Sequence, residues 1–403
     1  MTNDSGGQRL GMVVAGSLSD GMDVRLDLDA SIEDIKVGAF VTIQGKQMRF
    51  FGVVTDVSLR TTDPMLSASP PDVSDPYVAE VVAGTMAYGS IKVEPMLVQD
   101  IEGPVPAKTV PAHFSVASQA SDRDIELVFG KEDERNFWIG SPLDMETKLC
   151  LDVPKLVERS NGVFGKSGTG KTFLTRLLLI GIIQGGDAVN LVFDMHGEYG
   201  WEGSSEKASS VKGLKQLFSS KVAVFSLDEA SSRRRGLTPD YVVRIGYDEV
   251  EPEDVEILRD VLDLSPVAAD AAYFLHRRFG AKKWLKEFLA LRSGEEIGDV
   301  ASELNINLGA LTALQRRLSR LERFEFMDET GHGSVEAILD YLDRGMHVVL
   351  EFGRYGNNLA AYILVANLLT RRIYQRYVER KERASGDARK EPRPLVITIE
   401  EAH

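Results

Sequence analysis

The sequence predicts a small β-barrel followed by an α/β domain built on a parallel sheet. Short apolar runs separated by turn residues fill the chain up to about residue 115, which is typical of small barrels. After Asn161, apolar strands alternate with longer amphipathic helices, the pattern of parallel strands joined by crossover helices. The length of 403 residues suits more than one domain.

Five apolar runs in the first part of the chain are predicted strands. They lie at residues 11–15, 39–43, 51–55, 79–83 and 91–93. A loop rich in Thr, Pro, Ser and Asp is predicted at residues 61–76, because these residue types favour turns and show no periodicity. We therefore expect a β-barrel over residues 1–115 and a connector over residues 116–158.

The α/β domain is expected over residues 159–403. Its predicted elements are a strand at 161–164, a helix at 171–184, strands at Val189–Asp194 and 346–352, a helix at 358–380 and a last strand at Leu395–Ile399. A largely helical stretch at about residues 252–342 is too long for a single crossover. We interpret it as a helical insertion.

Composition excludes several classes of protein. The formal charge of −14 repels polyanions over most of the surface, so any nucleic-acid contact must be local. The single cysteine, Cys150, can form neither an internal disulfide nor a cysteine zinc cluster, which favours a reducing cytoplasm. Residues 1–9 do not resemble a signal peptide, and the longest apolar run, residues 177–183, is too short to cross a bilayer.

A phosphate-binding loop is the strongest motif in the chain. It comprises Gly165, Lys166, Ser167, Gly168, Thr169, Gly170, Lys171 and Thr172, which match G-x-x-x-x-G-K-[ST] between a predicted strand and a helix. Its glycines let backbone N–H groups surround phosphate oxygens, Lys171 reaches the β- and γ-phosphates, and Thr172 reaches Mg²⁺. The motif predicts binding of ATP with Mg²⁺.

Two other strand ends carry candidate catalytic acids. Glu400 and Glu401 follow the last strand, where Glu400 is expected to act on Mg²⁺ and Glu401 on the attacking water. Asp194 ends the strand after the phosphate-loop helix, at the edge where parallel sheets bind ligands. His196 and Glu198 could hold a metal, but a hydrogen-bonded loop histidine is the more ordinary interpretation.

The motifs together resemble a known family. The phosphate loop, the D-x-H-G-E-Y stretch at 194–199 and E-E-A-H at 400–403 look like the HerA branch of the HerA/FtsK DNA-translocating ATPases. This resemblance implies a RecA-like ATPase domain behind a HAS-barrel-like N-terminal domain. It also implies a cytoplasmic hexameric ring that hydrolyses ATP with Mg²⁺, translocates double-stranded DNA as a helicase, and serves a NurA-type nuclease or other effector in DNA repair or phage defence.

The resemblance also assigns individual residues. Lys171 and Thr172 match the nucleotide-binding pair, Asp194 an acid near the γ-phosphate, and Glu401 the catalytic glutamate. Arg159 looks like the arginine that reaches the nucleotide of a neighbouring subunit. Family members continue beyond the Mg²⁺-side (Walker B) strand at which this sequence stops, so we expect a fragment whose activity alone is doubtful; the alternative is a shortened relative.

Four basic clusters are candidates for DNA contacts. They are Arg233–Arg235, Arg277 and Arg278 with Lys282 and Lys283, Arg316 and Arg317 with Arg320, and the stretch 371–393, which has nine basic and four acidic residues. Such charges bind phosphates without reading sequence, although ordinary solvated helix faces look the same.

Two functional hypotheses follow from the sequence. The first is an ATP-driven DNA translocase of the HerA type. The second is a nucleotide-gated assembly module that holds a partner without moving DNA, which the net negative charge favours. A transporter or secretion ATPase fits less well, because no membrane-docking segment is apparent.

Overall fold

The computed structural model describes residues 7–101, 103–142, 145–204, 210–387 and 390–401. The chain forms two compact units that divide between Leu156 and Val157. Each unit has its own sheet and its own hydrophobic core.

The first unit is built mainly from antiparallel strands. Its elements are β1 (Arg9–Ser17), β2 (Gly21–Leu26), β3 (Phe40–Gln44), β4 (Arg49–Thr61), α1 (Pro64–Ala68), α2 (Pro76–Thr85), β5 (Ala87–Asp100), β6 (Gly103–Pro106), β7 (Val116–Gln119), α3 (Asp122–Phe129), β8 (Asn136–Gly140) and β9 (Leu149–Asp152), with α4 (Val153–Val157) at the boundary.

Six of these strands close into a barrel. They pair in the order β2-β1-β7-β3-β4-β5, and β5 pairs back with β2. The inward positions alternate with outward ones along each strand, so Val24, Val41, Val54 and Ile91 are almost completely buried. Closure removes the free sheet edges that an open antiparallel sheet would expose.

Three expectations for this unit need correction. Residues 79–83, predicted as a strand, lie in helix α2, because Asp75 accepts the N–H of Tyr77 and Pro76 occupies the first helical position. The predicted loop at 61–76 contains helix α1, which Asp63 caps in the same way. The barrel also extends past residue 115, since β7 pairs with β1 and β3.

The second unit alternates strands and helices. Its elements are α5 (Lys171–Gly185), β10 (Val189–Asp194), β11 (Gly203–Ser204), β12 (Ser210–Val211), α6 (Leu214–Leu217), β13 (Val222–Ser226), α7 (Glu229–Arg234), β14 (Tyr241–Val242), β15 (Ile245–Gly246), α8 (Pro252–Ile257), α9 (Pro266–Phe279), α10 (Trp284–Ala290), α11 (Gly294–Leu304), α12 (Leu308–Leu318), β16 (Met327–Asp328), α13 (Ser334–Asp343), β17 (His347–Glu351), α14 (Leu359–Ala384) and β18 (Leu395–Ile399).

A five-stranded parallel sheet organises this unit, as the sequence predicts. The strand order is β14-β13-β17-β10-β18, and every pair in it is parallel. Strands β10, β13 and β17 are buried along their whole length, because helices cover both faces of a parallel sheet. On one face Val192 packs with Leu179 of α5; on the other, Leu191 and Phe193 join the core of the helical insertion.

The segment at residues 161–164 does not form the predicted strand. Residues 161–166 have no regular structure, and Phe164 is 93% exposed. Strand β18 is the edge strand of the sheet next to β10, and within the described ranges residues 161–164 do not pair with its free edge. An apolar run becomes a strand only where another strand satisfies its backbone groups.

Candidate active site

The candidate site lies at the C-terminal edge of the parallel sheet. Asp194 ends β10, Glu351 ends β17 and Glu400 directly follows β18. Because these strands are parallel neighbours, their last residues reach the same edge, where open α/β sheets bind ligands. Helix α5 begins with Lys171, so the phosphate loop stands before its N-terminus.

The phosphate loop has the backbone that an anion site needs. Gly168 and Gly170 adopt positive φ angles of 80° and 91°, which glycine reaches without steric cost. Thr169 donates its hydroxyl to the carbonyl of Lys166 at 2.7 Å, and Lys171 Nζ donates to the same carbonyl at 3.2 Å. The ammonium group therefore lies across the loop that precedes α5, and the free amides at a helix N-terminus favour phosphate.

Asp194 organises the loop that follows β10. Its buried carboxylate accepts the backbone N–H groups of Glu198, Tyr199 and Gly200 at 2.8, 2.9 and 3.1 Å. Burial raises the pKa of Asp194, and these hydrogen bonds oppose that rise. The carboxylate thus holds the loop at residues 195–200 through its backbone N–H groups.

Glu400 faces this loop. The N–H of His196 and the hydroxyl of Tyr199 lie beside its carboxylate and lower its pKa, and its Oε2 atom is buried without a hydrogen-bond partner. Burial, followed by the negative charges of Asp194 and Glu198, raises the pKa of Glu400 to about 7. A buried carboxylate oxygen with no donor is costly, and a cation would satisfy it.

Glu401 and Arg159 lie on exposed loops. Glu401 adopts a left-handed conformation with φ 48°, which is uncommon for a residue with a side chain and is concentrated at functional sites. The carbonyl of Arg159 accepts a hydrogen bond from Asn161 Nδ2 at 2.7 Å. Ala402 and His403, which complete the E-E-A-H stretch, lie outside the described residues.

The comparison with family models decides the family. The model described as "Helicase HerA, central domain" matches residues 137–373, more than half of the chain. The chain belongs to this family. A search of curated proteins found no match. The match includes the phosphate loop and the loop after β10, so the HerA central domain here is a P-loop ATPase domain.

Glu351 is a residue of the candidate site that the sequence analysis did not single out. It is buried at the end of β17, and its Oε2 atom accepts a hydrogen bond from Arg235 at 2.7 Å. Its Oε1 atom has no partner. Burial raises the pKa of Glu351, and Arg235 opposes that rise. The signal was present, since the sequence places an acid at this strand end just as it does at Asp194 and Glu400.

Magnesium is compatible with the residues present. No cluster of three or more His, Cys, Asp or Glu side chains in the described part of the chain is placed to hold a metal, so the loop with His196 and Glu198 does not form one. Mg²⁺ does not need such a cluster, because it keeps several waters and takes one or two carboxylates plus substrate phosphates. Glu400, with its unpartnered oxygen, and Thr172 fit that requirement.

Ion pairs neutralise most of the basic stretch at 371–393. The pairs among its described residues are Arg371 with Glu251 and Asp254, Arg372 with Glu251, Arg376 with Glu336 and Glu379, Arg380 with Asp343, Arg383 with Glu379, and Lys390 with Asp387. Arg278 and Arg317 are paired with Glu303 and Asp263. By contrast, five basic residues are exposed and form no ion pair with another residue of the described ranges: Arg277, Lys282, Lys283, Arg316 and Arg320.

None of the helices that the structure describes combines the length and the apolar character needed to cross a bilayer. Helix α14, with 26 residues, is long enough, but its second half is strongly charged.

Proposed function

We propose that this HerA-family protein hydrolyses ATP to move DNA, working as a ring of identical subunits. The observation that carries the proposal is that one unit contains both the phosphate loop before α5 and, at the C-terminal edge of its parallel sheet, a Glu400 oxygen without a hydrogen-bond partner. Lys171 and the amides of the loop would hold the phosphates of ATP. Mg²⁺, when bound, would neutralise phosphate charge during transfer to water.

Two further residues are proposed to act on the reaction. Glu401 would orient or deprotonate the attacking water, since hydrolysis requires a base in line with the γ-phosphate. Arg159 would enter the nucleotide site of a neighbouring subunit, where a guanidinium stabilises charge in the transition state. Turnover would then depend on assembly, and Arg159→Ala would keep nucleotide binding but lose turnover.

The first experiment measures ATPase rates with and without linear duplex DNA at low and high salt. Lys171→Ala is expected to abolish turnover, whereas Lys212→Ala, a change at an exposed lysine of the same unit, should leave it intact. DNA should stimulate turnover and salt should remove the stimulation, because phosphate contacts release counterions. Wild-type turnover by the Lys171→Ala protein would contradict the site assignment.

The ring and its partner are the finer part of the proposal. We propose a hexamer on double-stranded DNA, with the N-terminal barrel as the platform for a NurA-type nuclease or other effector in DNA repair or phage defence. Light scattering with Mg²⁺ and a non-hydrolysable ATP analogue should give six times the subunit mass of 44.4 kDa. A mass that stays at one subunit under these conditions would contradict the ring.

The alternative is a nucleotide-gated assembly module. The neutralised basic residues on α14 and the net charge of −14 favour it, because both reduce the surface available to DNA. Turnover that ignores DNA but rises with protein concentration would support this alternative over translocation.

A further inference from the structure

We infer that Arg235 and Glu351 form a positioning pair that holds the loop at residues 195–200, and through it Glu400, in the geometry for ATP hydrolysis. The inference rests on the proposed function for its catalytic consequence. Neither residue belongs to the motifs that carry the family resemblance, and no hydrogen bond or ion pair joins either of them to the phosphate loop among the described residues.

The pair joins three strand ends. Glu351 ends β17 next to Asp194 of β10, with which it is in register, and its carbonyl accepts the N–H of Leu227 after β13 at 3.0 Å. Arg235 follows α7, the short helix after β13. Its guanidinium donates to Glu351 Oε2 at 2.7 Å, so the pair connects the loop after β13 to the end of β17.

Both partners also lie against glycines of the 195–200 loop. A methyl group on Gly197 would stand 3.6 Å from Arg235 Nη1, and one on Gly200 would stand 3.0 Å from Glu351 Oε1. Asp194 holds the same loop from within, by accepting the N–H groups of residues 198–200. The loop is therefore held between the carboxylate of Asp194 and the Arg235–Glu351 pair.

The loop in turn sets the position of Glu400. The N–H of His196 and the hydroxyl of Tyr199 both lie beside the Glu400 carboxylate and oppose the rise in its pKa, and Arg176 of the phosphate-loop helix donates to the carbonyl of Glu198 in the same loop. A shift of the loop would move these two donors away from Glu400. Small displacements of this kind reduce catalysis strongly even when substrate still binds.

Stability alone does not account for this pair. The Glu351 carboxylate is almost fully buried while the Arg235 side chain is 39% exposed, and one oxygen of Glu351 stays unpartnered. Buried ion pairs of this kind often stabilise a fold no better than apolar side chains of the same size. The pair instead fixes the position of the neighbouring backbone in the loop at residues 195–200.

The test compares Arg235→Ala with a neutral replacement of the whole pair, Arg235→Met with Glu351→Gln, which leaves no buried unpaired charge. Arg235→Ala should lower kcat by about 10- to 100-fold with KM for ATP within about twofold, because the phosphate loop is intact. The double variant should regain the wild-type melting temperature but not kcat, and Arg235→Lys should regain part of kcat. Glu229→Gln, which removes an exposed ion pair with Arg233 on α7, is the matched control and should change neither kcat nor KM.

Hydrogen exchange supplies a readout that does not need ATPase activity. In Arg235→Ala and in the double variant, amides of residues 196–200 should exchange at least about tenfold faster than in the wild type, while those of β10 should not change. Unchanged exchange in this loop, or wild-type kcat in either variant, overturns the inference. A wild-type protein without ATPase activity refutes the proposed function instead, and loop exchange still decides whether the pair positions the loop.

Discussion

The three acids at the strand ends of the candidate site have different hydrogen-bond partners. Asp194 uses its oxygens to bind loop amides, and Glu351 is paired with Arg235. Glu400 keeps one oxygen without a partner. Three acids in similar sequence positions thus take different roles, because each meets different neighbours at the same edge of the sheet.

Asp194→Asn tests the loop-holding role. An asparagine offers one acceptor oxygen in place of two, so at least one loop N–H loses its partner at a cost of about 1–3 kcal/mol. We expect a lower melting temperature and faster proteolysis within residues 195–204. Asp187→Asn, a change at an exposed acid before β10, is the control, and equal behaviour of the two variants would argue against the role.

His347 predicts a pH dependence of stability. It is buried at the start of β17, and its Nδ1 atom accepts the N–H of Asn190 at 3.1 Å. Burial, followed by the charges of Lys221 and Arg393, lowers the pKa of His347 to about 4. The unfolded chain, with an ordinary pKa near 6.5, therefore takes up the proton first as the pH falls.

The free energy of unfolding should accordingly be highest above pH 6.5 and should fall between pH 6.5 and pH 4, by at most about 3 kcal/mol from this group. Denaturant titrations across this range measure the loss. His347→Asn keeps an oxygen that can accept the same N–H but removes the titrating group. Its free energy of unfolding should therefore not show the loss between pH 6.5 and pH 4 that His347 causes. An identical slope in both proteins would contradict the assignment.

Among the elements, helices α8 and α14 are joined by a buried polar contact. Arg371 of α14 donates to Asp254 of α8 at 2.8 Å, and Asn367 donates to the other oxygen of Asp254 at 2.8 Å. Asp254 is 1% exposed. Arg371, a candidate for DNA binding from its sequence, therefore connects the helical insertion to the longest helix of the unit.

Arg371→Ala should destabilise the second unit by about 3–5 kcal/mol, because it leaves the carboxylate of Asp254 buried without its charged partner. It should not change the salt dependence of DNA binding. Replacing Lys282 and Lys283 by Ala should leave stability unchanged. It should reduce the magnitude of the slope of the logarithm of the DNA-binding constant against the logarithm of the salt concentration by about 2. Denaturation curves and DNA titrations separate the two outcomes.

The whole molecule consists of two compact units with separate cores. Units of this kind commonly unfold as separate cooperative transitions. We expect two transitions in calorimetry, of which only the one from residues 157–403 rises, by several degrees, with Mg²⁺ and a non-hydrolysable ATP analogue. Lys171→Ala should abolish that rise. A single transition that moves as a whole would show that the two units unfold together.

Local sequence determined the parts of this protein that depend on neighbours along the chain. The bounds of β10 and β18 and the start of α5 were predictable, because apolar periodicity and glycine spacing are local properties. The phosphate loop was predictable for the same reason, since its function is carried by consecutive backbone amides.

Tertiary structure decided whatever depends on residues far apart in the chain. The run at 79–83 has strand-like composition but follows an aspartate cap and a proline, so it is helical. Residues 161–164 are apolar enough for a strand but pair with no strand of the described structure. The pairing of Glu351 with Arg235 spans 116 positions, and the charge of Arg371 on α14 is neutralised by Asp254, which lies 117 positions away in the chain. Strand pairing, burial and charge neutralisation all require a partner in space, and a linear pattern does not contain that partner.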